Sequence, residues 1–227
     1  LAGCEDPRAT VIDDKVYLIF VAYDGWSEPR LAMTFITVQD FLDRKWQNWS
    51  PARHISAPGI IDKSGALFPE KINGKYVMMH RIFPDLLIDY LDDLDFIDRK
   101  LEVKARIKPR KKGWDSRKIG AGAPPLLINE GWLLVYYGVD DEDDSHYDFG
   151  VMLLDKEDPS KVLYRCKTPY LKPMAWYEQE GFKSQILYPC GAVIIKNELI
   201  IYYGAADRYV CVASAPVSSI LDQLKSE

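Results

Sequence analysis

Gly191-Ala192-Val193-Ile194-Ile195-Lys196-Asn197-Glu198-Leu199-Ile200-Ile201-Tyr202-Tyr203 is the stretch whose reading decides the fold. It holds an apolar run, a polar turn and a second run rich in β-branched and aromatic residues. Such residues fit a half-buried pleated surface better than a helix face, so the segment predicts a hairpin. The same pattern recurs upstream at residues 9–20, 70–80 and 125–137. At Asn73-Gly74 the turn chemistry is explicit, because a type I′ turn needs positive φ at both central residues. The turns at Asp14, Asn73, Asn129 and Asn197 lie 59, 56 and 68 residues apart. Regular recurrence of a hairpin-centred unit is the mark of sheets repeated around an axis, a β-propeller.

A β-sandwich is the main competitor, but its turn signals come every ~8–12 residues. The strong signals here are much sparser. An α/β fold finds little support, since helical periodicity is confined to residues 38–46 and 217–224.

Composition narrows the function. The chain has 227 residues, 48% of them hydrophobic, with a net charge of −5. An acidic chain argues against a nucleic-acid or anionic-membrane partner, either of which favours a basic face. No apolar run is long enough to cross a bilayer. The opening Leu1-Ala2-Gly3-Cys4-Glu5-Asp6 reaches charge at once, so no signal peptide is expected. Cys4, Cys166, Cys190 and Cys211 lack metal or redox spacing and read as free thiols of a reducing, cytoplasmic compartment.

Four stretches concentrate polar residues at strand ends. They are Gly3-Cys4-Glu5-Asp6-Pro7-Arg8, Leu67-Phe68-Pro69-Glu70-Lys71 leading to His80-Arg81, Lys118-Ile119-Gly120-Ala121-Gly122-Ala123-Pro124-Pro125, and Tyr203-Gly204-Ala205-Ala206-Asp207 paired with Tyr137-Gly138. Adjacent carboxylates beside an arginine are costly to bring together unless solvent or ligand compensates them. Falling at matching points of successive blades, such clusters converge on the axis, where a propeller site is expected. In this order, and with Asp158-Pro159-Ser160-Lys161-Val162 and Tyr188-Pro189-Cys190-Gly191 between them, these motifs resemble glycoside hydrolase family 130, the β-mannoside phosphorylases and β-mannosidases.

That resemblance implies an all-β, five-bladed β-propeller, of which this chain represents about four blades. It implies one catalytic propeller over residues 1–227, with the family's N-terminal blade missing. An open series of blades exposes sheet edges and favours self-association into a homo-oligomer. The implied activity is cleavage of a β-mannosyl oligosaccharide with inversion, and phosphorolysis to mannose 1-phosphate is the preferred form. The resemblance places the proton donor on Asp6. It assigns sugar binding to Glu5, His80, Tyr203 and Asp207, and to Arg8 either orientation of the Asp6 carboxylate or sugar binding. Arg53, Lys71, Arg81 and Tyr137 are the expected phosphate ligands. Tyr23, Trp132 and Tyr177 are further candidates for an apolar ring face. Inorganic phosphate is the expected co-substrate, with no metal or other cofactor.

Inversion needs an acid on the leaving oxygen and a nucleophile on the opposite face. A hydrolase meets the second need with a carboxylate base and water, whereas a phosphorylase binds phosphate among cations. One departure bears on that choice. Phosphorylases of the family generally carry Tyr-His-Gly where this chain has Tyr136-Tyr137-Gly138. Tyrosine keeps a hydrogen bond but no positive charge, so an inverting β-mannosidase is the alternative, and a non-catalytic carbohydrate-binding propeller a further one. Asp140-Asp141-Glu142-Asp143-Asp144 lacks the glycine and terminal glutamate of a helix–loop–helix calcium site and reads as a solvated loop. The basic run at 104–112 reads as an exposed connection.

Overall fold

The computed structural model describes residues 2–226. Its strands form four antiparallel sheets, each assembled from consecutive strands as the blades of a propeller. Blade 1 runs β1 (Gly3–Ile12), β2 (Lys15–Tyr23), β3 (Arg30–Thr37) and β4 (Arg53–His54). Blade 2 runs β5 (Lys63–Leu67), β6 (Tyr76–Ile82), β7 (Asp85–Leu91) and β8 (Ala105–Ile107). In blade 3 the innermost strand is broken into β9 (Lys118–Ala121) and β10 (Leu126–Ile128), both pairing with β11 (Gly131–Val139), followed by β12 (Asp148–Leu154) and β13 (Val162–Arg165). Blade 4 has β14 (Leu187–Ile195), β15 (Glu198–Ala205) and β16 (Tyr209–Pro216).

The two-residue turns do what the sequence asks of them. Asn73 and Gly74 take φ of 51° and 77°, and Lys196 and Asn197 take 50° and 67°. Ile72 pairs with Lys75 around the first and Ile195 with Glu198 around the second. The two short helical stretches are also present: α1 (Val38–Leu42), capped by the Thr37 hydroxyl, and the C-terminal α3 (Val217–Ser226). Between them lies a single turn, α2 (Trp176–Gln179). One reading changes: the basic run at 104–112 is not only a connection, because it contains β8 and Arg110, whose guanidinium bonds the fully buried Asp115.

Alternating strand residues pack blade on blade. Ile19, Val21, Leu31 and Met33 of blade 1 meet Leu67 and Met78 of blade 2 in one apolar cluster. A larger cluster joins blades 2, 3 and 4, with Phe68 edge-on to Trp132 at 4.9 Å between ring centroids. On blade 4 the face turned away from blade 3 carries exposed Val193, Tyr202, Val210 and Val212.

The innermost strands are irregular at one level. Register shifts interrupt β1 between Glu5 and Arg8, β5 between Lys63 and Ala66, and β14 between Pro189 and Gly191. Bulges re-aim side chains and cluster beside functional sites. Here they surround one cavity.

Candidate active site

A cavity of about 770 Å³ opens between the inner strands. Glu5 and Asp6 line it from β1, Lys63 from β5, Arg81 from β6, Lys118 from β9 and Tyr137 from β11. Tyr188 and Cys190 come from β14, Tyr203 from β15, and Tyr147, Lys183 and Asp207 from connecting segments.

Asp6 reaches the cavity because the β1 bulge holds it at φ 54°, a left-handed conformation that aspartate tolerates better than most residues. Arg8 fixes that bulge from beneath. It is 1% exposed, and its guanidinium donates to the carbonyls of Gly122 (2.6 Å), Ala121 (3.1 Å) and Asp6 (2.9 Å). Burial works against the Arg8 charge, but Tyr188, Cys190 and Asp6 outweigh it and hold its pKa above the usual arginine value. Arg8 therefore braces the strand that carries Asp6 and does not line the cavity itself.

The cavity holds more cations than its carboxylates neutralise. Lys63 Nζ pairs with Glu5 Oε2 at 3.1 Å and Lys183 Nζ with Asp207 Oδ2 at 3.3 Å. Arg81 and Lys118 have no carboxylate within ion-pairing distance among the described residues. Arg81 is 8% exposed, and the Lys118 ammonium bonds the Tyr147 hydroxyl. Burial lowers the Lys118 pKa below the usual lysine range, with neighbouring Arg81 adding to the effect. For Arg81, burial acts against the charge, but the phenols of Tyr137, Tyr188 and Tyr147 outweigh it and raise its pKa. Two cations held close together without a counter-ion form a ready anion site.

The cavity gathers Glu5, Asp6, Arg81, Tyr137, Tyr203 and Asp207 from the expected set and leaves four others outside. His80 precedes Arg81 on β6, so strand alternation sends it to the opposite face. There it is buried, its ring bonded to Asp62 Oδ2 (2.8 Å) and the Glu102 carbonyl (3.2 Å). Arg53 sits on the outermost strand of blade 1 and donates to the Asp95 carbonyl. Lys71 is exposed, with its ammonium 4.3 Å from the Tyr76 ring centroid. Arg8 supports the site as described. Tyr203 lines the wall, but its hydroxyl donates to buried Glu178 at 2.8 Å. Tyr23, Trp132 and Tyr177 do not line the cavity.

Lys63, Lys118, Tyr147, Lys183 and Tyr188 were not singled out from the sequence. Lys118 opens the Lys-Ile-Gly-Ala-Gly motif and Tyr188 the Tyr-Pro-Cys-Gly motif, and those positions were the available signals. The acidic loop beside it is held by Arg117, which pairs with Asp141 (3.3 Å) and Asp144 (3.2 Å).

The family model for glycoside hydrolase family 130, described as β-1,4-mannooligosaccharide phosphorylase, matches residues 1–226. A 1,2-β-oligomannan phosphorylase from Thermoanaerobacter sp. is 36% identical over 97% of this chain and 70% of its own length. A β-1,2-mannobiose phosphorylase from the same organism is 40% identical over 93% of this chain and 66% of its own. A solved β-1,2-mannobiose phosphorylase from Listeria innocua, in complex with β-1,2-mannobiose, superposes with a TM-score of 0.80 at 33% identity, covering 99% of this chain and 61% of that one. The chain thus spans roughly two thirds of the length of these relatives. On the extent of the match and the shared propeller, the chain belongs to glycoside hydrolase family 130.

Proposed function

We propose that this cavity cleaves a β-mannosyl disaccharide or short oligosaccharide by phosphorolysis, with inversion, to α-mannose 1-phosphate. The observation that carries the reading is the pair Arg81 and Lys118, two cations without carboxylate partners among the described residues, facing the same cavity as Asp6. A hydrolase has no use for an unneutralised cation pair beside the sugar, whereas phosphate needs one. The names of the relatives favour a β-1,2 linkage as the first to test.

In this reading phosphate lies against Arg81, Lys118 and the Tyr137 hydroxyl. One of its oxygens attacks C1 from the face opposite the glycosidic oxygen. The bond from C1 to that oxygen breaks, and the departing sugar takes a proton that originates on Asp6. The family resemblance routes that proton through a mannose hydroxyl. Tyr137 replaces the family's histidine without its charge, and Lys118 and Arg81 supply the positive charge in its place. In this reading Glu5 and Asp207, held by lysines, accept hydrogen bonds from sugar hydroxyls.

The test is a comparison of Arg81→Gln and Lys118→Gln with the parent enzyme. Each should raise KM for phosphate ~10–100-fold, as expected for loss of a charged hydrogen bond, with a much smaller change in KM for the mannoside. Equal effects on both substrates would refute the assignment.

A further inference from the structure

Ser64 stands behind the cavity wall, and the chemistry above leaves it unexplained. It is fully buried and has φ 54°, a left-handed conformation that a non-glycine residue adopts at a cost. It sits in the β5 bulge, between Lys63, whose partner is Arg81 on β6, and Ala66, whose partner is Met79. In a regular strand Lys63 and Ser64 would point to opposite faces. The bulge turns both toward the site: Lys63 to Glu5, and Ser64 to two phenols of the cavity wall.

The Ser64 hydroxyl lies 3.0 Å from the Tyr137 hydroxyl and 3.0 Å from that of Tyr188. The rings of these tyrosines are 4.9 Å apart, and Tyr137 stacks on Tyr147 at 5.7 Å. Arg8 lies 5.5 Å from the Tyr188 ring centroid. Asp6 and Arg8 act electrostatically on Tyr188, and Arg81 bonds the Tyr137 side chain, so the three hydroxyls run from the Asp6 side of the cavity to the Arg81 side.

Counting protons defines what such a chain does. Three hydroxyls carry three protons, and the two hydrogen bonds between them use two. If Ser64 accepted from both phenols, its own proton would be buried without an acceptor, a costly arrangement. Ser64 therefore donates to one phenol and accepts from the other. The phenol that receives the serine proton is left with its own proton to offer the cavity. The chain has two directions, one offering a proton at Tyr137 and the other at Tyr188.

We propose that Ser64 is a positioning residue that joins Tyr137 and Tyr188 into one switchable hydroxyl chain, so that an anion bound at Tyr137 draws the chain's free proton to its end and removes it from the Asp6 end. Ser64 thereby links the anion half of the cavity to the acid half. The proposal rests on the reading of that anion as phosphate. It also accounts for the strained backbone, because an extended Ser64 would turn its hydroxyl away from both phenols.

The test is the affinity of the intact protein for inorganic phosphate, by titration calorimetry, in the parent, Ser64→Gly, Tyr188→Phe and the Ser64→Gly/Tyr188→Phe double variant. Glycine removes the hydroxyl while tolerating the positive φ, so Ser64→Gly should still fold. Tyr188→Phe should tighten phosphate binding by up to about tenfold, the worth of one hydrogen bond, although its hydroxyl lies at the acid end: Ser64 then has Tyr137 as its acceptor and the free proton stays at Tyr137. Once Ser64 is glycine the link is gone, and Tyr188→Phe should change phosphate affinity little. If the parent binds phosphate while Tyr188→Phe leaves its affinity unchanged or weaker, or shifts it equally with and without Ser64, the hydroxyl chain is refuted alone. If the parent binds no phosphate, the phosphate reading falls and the chain's proposed role with it.

Discussion

Arg8→Met tests whether Asp6 depends on a buried brace. Methionine keeps the apolar stem and removes three hydrogen bonds, to the carbonyls of Gly122, Ala121 and Asp6. A hydrogen bond to a charged group contributes about 1.5–3 kcal/mol, so the gross loss is ~6 kcal/mol. Removing the guanidinium also ends its desolvation cost, several kcal/mol for a fully buried ion, which offsets about half of the loss. The net expectation is a destabilisation of about 3 kcal/mol, equivalent to a Tm lower by ~6–12 °C in a chain of this size. Urea denaturation at constant slope measures it. Turnover should fall further than the folded fraction does, because the Asp6 carbonyl loses its anchor and the carboxylate its fixed direction. Stability within ~0.5 kcal/mol of the parent with unchanged turnover would refute the reasoning, since a variation that small is typical of unconstrained surface positions.

Three more predictions follow from the same geometry. Asp6→Asn should keep the fold, since asparagine also accepts positive φ, and should lower kcat ~10³-fold with phosphate affinity nearly unchanged; steady-state kinetics and calorimetry decide it. Phosphate affinity should fall as pH rises through the Lys118 pKa, which lies below the usual lysine value, because only the protonated ammonium attracts the anion. Lys118→Arg should carry binding to higher pH. The stability sign is the reverse: the unfolded chain holds that proton more tightly, so stability without phosphate should rise across the window from the depressed pKa to the ordinary one. Gly138→Ala should destabilise by about 2 kcal/mol in urea, since its Cβ would stand 2.5 Å from Asp115 Cβ and 2.7 Å from Trp114 Cζ3.

The blades were legible because their signals are local. A two-residue turn declares itself through residues that tolerate positive φ, both of them at Asn73-Gly74 and Asn197 alone in the last turn, and the flanking runs through their β-branched and aromatic content. The cavity lining was legible only where a motif falls on an inner strand end, as at Asp6, Arg81 and Tyr137. His80 and Arg81 show the limit: neighbours in one motif, they point to opposite faces of β6, and the motif does not say which faces the axis. Arg53 failed to reach the cavity because it stands on an outermost strand, a distance no local pattern encodes. Ser64 and Lys63 were invisible for another reason. Their shared direction comes from a bulge with a non-glycine residue at positive φ, which carries no composition signal.

The most direct test of the central claim is a phosphorus NMR time course of the enzyme with β-1,2-mannobiose and inorganic phosphate, repeated with β-1,4-mannobiose. Phosphorolysis predicts that inorganic phosphate declines as α-mannose 1-phosphate appears, equimolar with one free mannose, and that cleavage stops when phosphate is withheld. Release of both mannose units at the same rate with or without phosphate, with no sugar phosphate formed, would contradict it.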